Sequence, residues 1–69
     1  MININNLTKD DVGRWVYYTD SFDGRKQYGR LKSWNEVNVF VVYESLAKDM
    51  NLYMHYIGVA TDPKDLTFV

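Results

Sequence analysis

Hydrophobic and polar positions change their spacing several times along this chain, and each change marks an element. Four β-formers in a row, Trp15 to Tyr18 within "RWVYYT", predict a first strand. In "QYGRLKSW", Gly29, Leu31 and Ser33 alternate with Tyr28, Arg30, Lys32 and Trp34. That period of two predicts a second strand with one small or apolar face and one face of long polar and aromatic side chains. Gly29 inside it predicts a bulge or sharp bend. "VFVVY" is apolar on both faces and predicts the central, most buried strand. Connections this short favour three consecutive antiparallel strands.

The connecting stretches carry turn and cap signals. Asp23-Gly24 in "DSFDGRK" is the strongest turn signal in the chain, so this stretch is a loop. "LTKDDVG" predicts one helical turn, because Thr8 and Asp11 have capping-box spacing and Gly13 can end the turn. Leu46, Met50, Tyr53, Met54 and Ile57 fall at helical spacing, which predicts a helical or partly helical insertion from Leu46 to about His55. A short strand at Ile57 to Thr61 follows. "TDPKDL" predicts a single turn with Asp62 at its cap and Pro63 at its first position, and "LTFV" predicts a last strand. The opening "MININN" alternates Ile2 and Ile4 with Asn, as an edge strand or a loose tail would.

The order is three meandering strands, a short strand, one turn and a final strand. It predicts a mainly β fold, a single SH3-like small antiparallel barrel of five short strands over residues 1–69.

Size sharpens this picture. At 69 residues the chain sits near the lower limit for a single core, where disulfides, a metal or self-association usually assist. There is no cysteine, and His55 is the one histidine, so the core must come from large side chains or from a second copy. Aromatic residues at 16% supply the first option. A formal net charge of −1 provides no basic field for nucleic acid and too few carboxylates for a DNA mimic. No stretch approaches the roughly 20 apolar residues of a membrane span, and the opening has no signal-peptide pattern. A cytoplasmic location and no membrane partner are therefore expected.

Catalytic chemistry finds little support in the chain. His55 has no cysteine to activate and reads as a solvent-facing or interface residue. Asp10 with Asp11, and Asp62 with Asp65, fit charges at helix starts. Gly13, Gly24, Gly29 and Gly58 are too scattered for a phosphate loop. No catalytic residue, metal or cofactor is implied, and the chain is expected not to be an enzyme.

The basic cluster is more informative. Arg25, Lys26, Arg30 and Lys32 hold half of the eight positive charges, and no acid lies between Gly24 and Asn35. Were Tyr28, Arg30, Lys32 and Trp34 to share the outward face of the second strand, a basic and aromatic stripe would result. Stacking plus positive charge is what a nucleotide or single strand uses. A solvated face balanced by acidic loops is the competing reading. Trp15, Tyr17, Tyr18, Phe22, Tyr28 and Trp34 also exceed what so small a core can hold, and surplus exposed aromatics are enriched in interface hot spots. The candidate binding residues are thus Trp15, Tyr17, Arg25, Lys26, Tyr28, Arg30, Lys32 and Trp34.

"DVGRWVYY", "YGRLKSWNEVNVFVVY" and "GVATDPKDLTFV" together resemble a group of small proteins of bacteriophages and prophages. Their pattern runs from "DVG" through "G-x-(I/L/V)-x-S-(W/F)-N" and "V-F-V-x-Y" to "A-T-x-P-x-D-L-x-F". It covers about three quarters of this chain, Asp11 to Tyr43 and Gly58 to Phe68, and leaves Glu44 to Ile57 unmatched. The resemblance implies a small barrel and a phage origin, and no activity. The "A-L-Y-D-Y" motif and acidic specificity loop of peptide-binding SH3 domains are absent, so recognition of proline-rich peptides does not transfer.

The expected function is that of a non-enzymatic phage or prophage binding protein that engages a host macromolecule, inhibiting or redirecting a defence or regulatory factor. A host protein is the expected partner, and a nucleotide or nucleic acid the alternative. Self-association is expected as well: a homodimer with Ile2, Ile4 and some of Trp15, Tyr17 and Trp34 at its interface.

Overall fold

A computed structural model describes all 69 residues. Five antiparallel strands form one sheet: β1 (Trp15–Thr19), β2 (Lys26–Trp34), β3 (Val39–Tyr43), β4 (Val59–Thr61) and β5 (Leu66–Phe68), in the order β4-β3-β2-β1-β5. β1 to β3 form the expected meander, but β2 and not β3 is the central strand, because β5 pairs with β1 and β4 with β3; β3 is the most buried strand, as expected. β4 and β5 remain as edges, so the sheet does not close into the expected barrel.

Strand alternation sends Val16, Leu31, Val39, Val41 and Leu66 to one face, all fully buried and forming the main core. Ile2 joins them. The backbone amide of Ile2 donates to the Pro63 carbonyl at 2.9 Å, and Ile4 and Leu7 pack on the same core. The opening segment is therefore neither an edge strand nor a loose tail, because its isoleucines cover an apolar face that would otherwise be wet. Asn3 caps the short turn Ile4–Asn6 by accepting from the Asn5 amide.

Gly29 is not the site of the bulge. It lies against β3 so closely that a Cβ there would sit 2.6 Å from the Val42 carbonyl oxygen and 2.7 Å from Val41 Cγ1. Only glycine fits that approach. The register shift lies further on, between Leu31 and Ser33.

The opposite face of the sheet carries a second cluster of Val42, Ala47 and Tyr53, with Trp15 and Leu46 packed beside it. Two short helices cover it, α1 (Ser45–Lys48) and α2 (Met50–His55), within the helical or partly helical insertion expected from Leu46 to about His55. The break is at Asp49, whose extended backbone (φ −106°, ψ 114°) stops α1 and whose carboxylate accepts from the Asn51 and Leu52 amides to start α2. The two helices turn Ala47 and Tyr53 inward and leave Met50, Met54 and Ile57 largely exposed, against the helical spacing of the sequence. The predicted turns hold elsewhere. Asp11 accepts from the Thr8 amide at 2.9 Å, and Asp62 caps the turn Pro63–Asp65 by accepting from the Lys64 amide.

Candidate functional site

The second strand separates the expected basic and aromatic stripe into parts with different work. Arg30 lies mid-strand, opposite Trp15 on β1 and Val42 on β3. Its Nε donates to the Ala47 carbonyl at 3.0 Å, its Nη1 donates to the Gly13 carbonyl at 2.9 Å, and its guanidinium lies 4.6 Å from the Trp15 ring centre. Lys32 Nζ donates to the carbonyls of Tyr53 (3.1 Å) and Met54 (3.3 Å) in the last turn of α2 and lies 4.5 Å from the Tyr53 ring centre. Cations at a helix C-terminus satisfy carbonyls that lack an internal partner. Both side chains thus fasten α1 and α2 to the sheet.

Trp34 leaves the stripe altogether. The register shift after Leu31 turns it to the main-core face opposite Val39, where it packs against the same core as Ile4 and Leu7. Trp15 stays on the outer face but is half covered by the second cluster. Of the eight candidates, Tyr17, Arg25, Lys26 and Tyr28 therefore remain together at the β1–β2 end. Tyr17 and Tyr28 face each other across the strands with ring centres 5.8 Å apart, and Lys26 Nζ lies 4.8 Å from the Tyr17 ring. Tyr28, Arg25 and Lys26 are exposed.

The loop joining β1 and β2 completes this end. The Asp20 amide donates to the Arg25 carbonyl and the Gly24 amide to the Asp20 carbonyl, each at 2.8 Å. Asp20 Oδ1 accepts from the Phe22 amide at 2.7 Å, and Asp23 Oδ1 from the Arg25 amide at 2.9 Å. These four bonds order the loop and hold Phe22 at its tip, 97% exposed. Phe22 is absent from the eight candidates, yet its sequence context carries a signal. An aromatic between two turn-forming aspartates has no route into the core.

Behind the loop lies a polar concavity of about 480 Å³ whose rim includes Asp20, Asp23 and Glu44 as well as Arg25 and Lys26. Tyr18 also lines it, and its phenol is pushed above the usual tyrosine value by desolvation first and then by Asp20, Asp65 and Asp23. Three carboxylates against two cations make this hollow unfavourable for a free phosphate. Glu44 holds φ 59° and ψ −133°, a backbone conformation that glycine adopts far more readily.

No group of three or more His, Cys, Asp or Glu side chains converges on a point where a metal would bind. His55 is exposed beside an apolar groove of about 450 Å³ between α1 and β4. No helix is long and apolar enough to cross a membrane. No protein-family profile, curated protein or solved structure matches the chain.

Proposed function

We propose that this chain is a non-enzymatic binding module, made by a phage or prophage and working in the cytoplasm of the bacterial host, that grips a host protein through its β1–β2 end. The observation that carries the reading is Phe22, almost fully exposed on a loop ordered by four hydrogen bonds. The ordered loop backbone has already lost the freedom that a partner would otherwise have to remove, and the large apolar side chain it presents offers area to a partner's pocket. Arg25 and Lys26 beside it, and the Tyr17–Tyr28 pair below, supply a polar and aromatic rim. The strand order and the one-turn helix before β5 are those expected of an SH3-like barrel, and the resemblance to phage proteins supports a host target whose defence or regulatory role the binding would block or redirect.

The test is capture from host lysate by the wild-type chain and by Phe22→Ala, with both proteins' unfolding measured. Phe22→Ala is expected to lose a stoichiometric partner while unfolding at the same denaturant concentration. Equal capture by both would refute the assignment of this end.

A second reading, a nucleotide or nucleic-acid binder, draws on Lys26 over Tyr17 and on the open face of Tyr28. Stacking with one phosphate contact gives an affinity that falls with salt. Binding of a nucleotide panel at low salt that disappears in Tyr28→Ala would favour it over a protein partner.

A further inference from the structure

The two edges of the sheet are finished differently. At β5, Leu66 is buried, Thr67 and Phe68 are half-buried, and the N-terminal ammonium reaches Thr67 Oγ1 at 3.4 Å. At β4, Val59 and Ala60 are both exposed, although they belong to opposite faces of the sheet. Proteins ordinarily guard an edge by keeping it very short, or with lysine, proline, an inward charge or a bulge. At three residues β4 has only the first of these. From Met50 to Thr61 the chain has no Asp, Glu, Lys, Arg or Pro, and charge returns only at Asp49 and Asp62.

The same stretch displays apolar side chains. Ile57 is 75% exposed, Met54 66% and Val59 60%, with Met50 and Tyr56 about half exposed. Met50 and Met54 share a face of α2. Gly58 fixes the segment in place: at φ +98° it lies on β3 so tightly that a Cβ would meet the Val41 amide nitrogen at 2.9 Å. Ile57 and Val59 on either side of it are thereby held outward. Tyr56, Ile57 and Val59 also edge the groove between α1 and β4, floored by Val42.

Area identifies the occupant. Taking ~200 Å² for a fully exposed large side chain, Met54, Tyr56, Ile57 and Val59 present roughly 500 Å², in the upper part of the ~300–600 Å² range for the largest patch on a monomer. Doubled, this gives at most ~1,000 Å² of total buried surface, the least that a specific interface needs. A patch without Asp, Glu, Lys or Arg meets no like-charge repulsion from a second copy of itself. With only three residues, β4 contributes few backbone bonds, so side-chain burial must dominate.

We infer that β4 and the adjoining Met54–Val59 surface form a two-fold interface between copies of this chain, the β4 strands running antiparallel across the axis. This relocates the dimer expected from sequence, because Ile2 is sealed in the core and Trp34 is half-buried against it. It leaves Phe22 and its loop outside the proposed interface. Only 11 of 69 residues are buried within one copy, so association would also raise stability by mass action.

The test is sedimentation equilibrium of the wild type and of Ile57→Lys/Val59→Lys up to hundreds of micromolar. Both positions are largely exposed, so the substitutions do not enter the core. The wild type is expected at twice the 8.2 kDa chain mass and the double variant at one chain's mass with an unchanged circular-dichroism spectrum. Met54→Glu is the alternative disruption if the double variant fails to fold. As a second readout, the Ala60 amide of the wild type should exchange more slowly as protein concentration rises. A wild type that stays monomeric, or a dimer that the folded variants leave intact, overturns the inference.

Discussion

The two faces of the sheet are held by different physics. On one, Ile2, Val16, Leu31, Val39, Val41 and Leu66 meet as aliphatic side chains, and burial of each stabilises the fold by about 1.5–3 kcal/mol. On the other, only Val42, Ala47 and Tyr53 are buried, and the covering helices are fastened by polar contacts from Arg30, Lys32 and the Tyr53 hydroxyl, which donates to the Leu31 carbonyl at 2.6 Å. A cation here is part of the scaffold. At the β1–β2 end, the same residue types have no such duty, and Arg25 and Lys26 face water. Charge and aromaticity along one strand therefore carry two meanings, and only tertiary contacts separate them.

The comparison is broken most severely from the aliphatic side. Leu31→Ala removes a fully buried side chain from the main core and is expected to cost about 2–5 kcal/mol in urea unfolding. An effect under 1 kcal/mol would mean that the main core does not dominate stability.

Tyr53→Phe attacks the other face more gently. The Leu31 carbonyl keeps its bond from the Gly13 amide, so the loss should be near one hydrogen bond, about 1 kcal/mol. Desolvation raises the Tyr53 phenol above 10.0, and Tyr43 is raised in the same way. A folded-state value above the unfolded one gives stability that is complete below pH 10.0 and is lost as pH rises through the folded value. Unfolding free energy should therefore fall above pH 10, and less steeply in Tyr53→Phe. A flat alkaline profile in the wild type would contradict the burial of these phenols.

A smaller effect of opposite sign is expected at Glu44→Gly, which relieves the positive φ between β3 and α1. A gain of about 1 kcal/mol follows if the strain exceeds the entropy glycine adds to the unfolded chain. Thermal unfolding at matched concentration checks it, and a loss of stability would show that the glutamate is not strained.

Much of the fold was legible because its signals are local. The period of two in β2, the apolar run Val39–Tyr43, the Asp23-Gly24 turn and the Asp62-Pro63 cap each depend on a few neighbours, and each appears where the residues place it. What was not legible depends on distant contacts. The shift after Leu31 that turns Trp34 inward arises from the match between β2 and β3. Burial of Ile2 depends on the turn at Pro63, at the other end of the chain. Asp49 divides the helix because Ala47 and Tyr53 must both reach the sheet, which one continuous helix at the Leu46–Ile57 spacing would not allow. The candidate site was half legible for the same reason: the residue types were visible, and the carbonyls that engage Arg30 and Lys32 were not.

The central claim, that one basic segment from Arg25 to Lys32 contains both a fastening and an exposed pair of charges, is tested most directly by unfolding two double variants side by side. Arg30→Met/Lys32→Met removes charged hydrogen bonds to four carbonyls and is expected to cost about 2–4 kcal/mol, given about 1.5–3 kcal/mol for a bond to a charged group and less at the exposed Lys32 end. Arg25→Met/Lys26→Met removes exposed charges and should stay within about 0.5 kcal/mol of wild type. Equal losses in the two variants, or a larger loss in the second, would contradict the account.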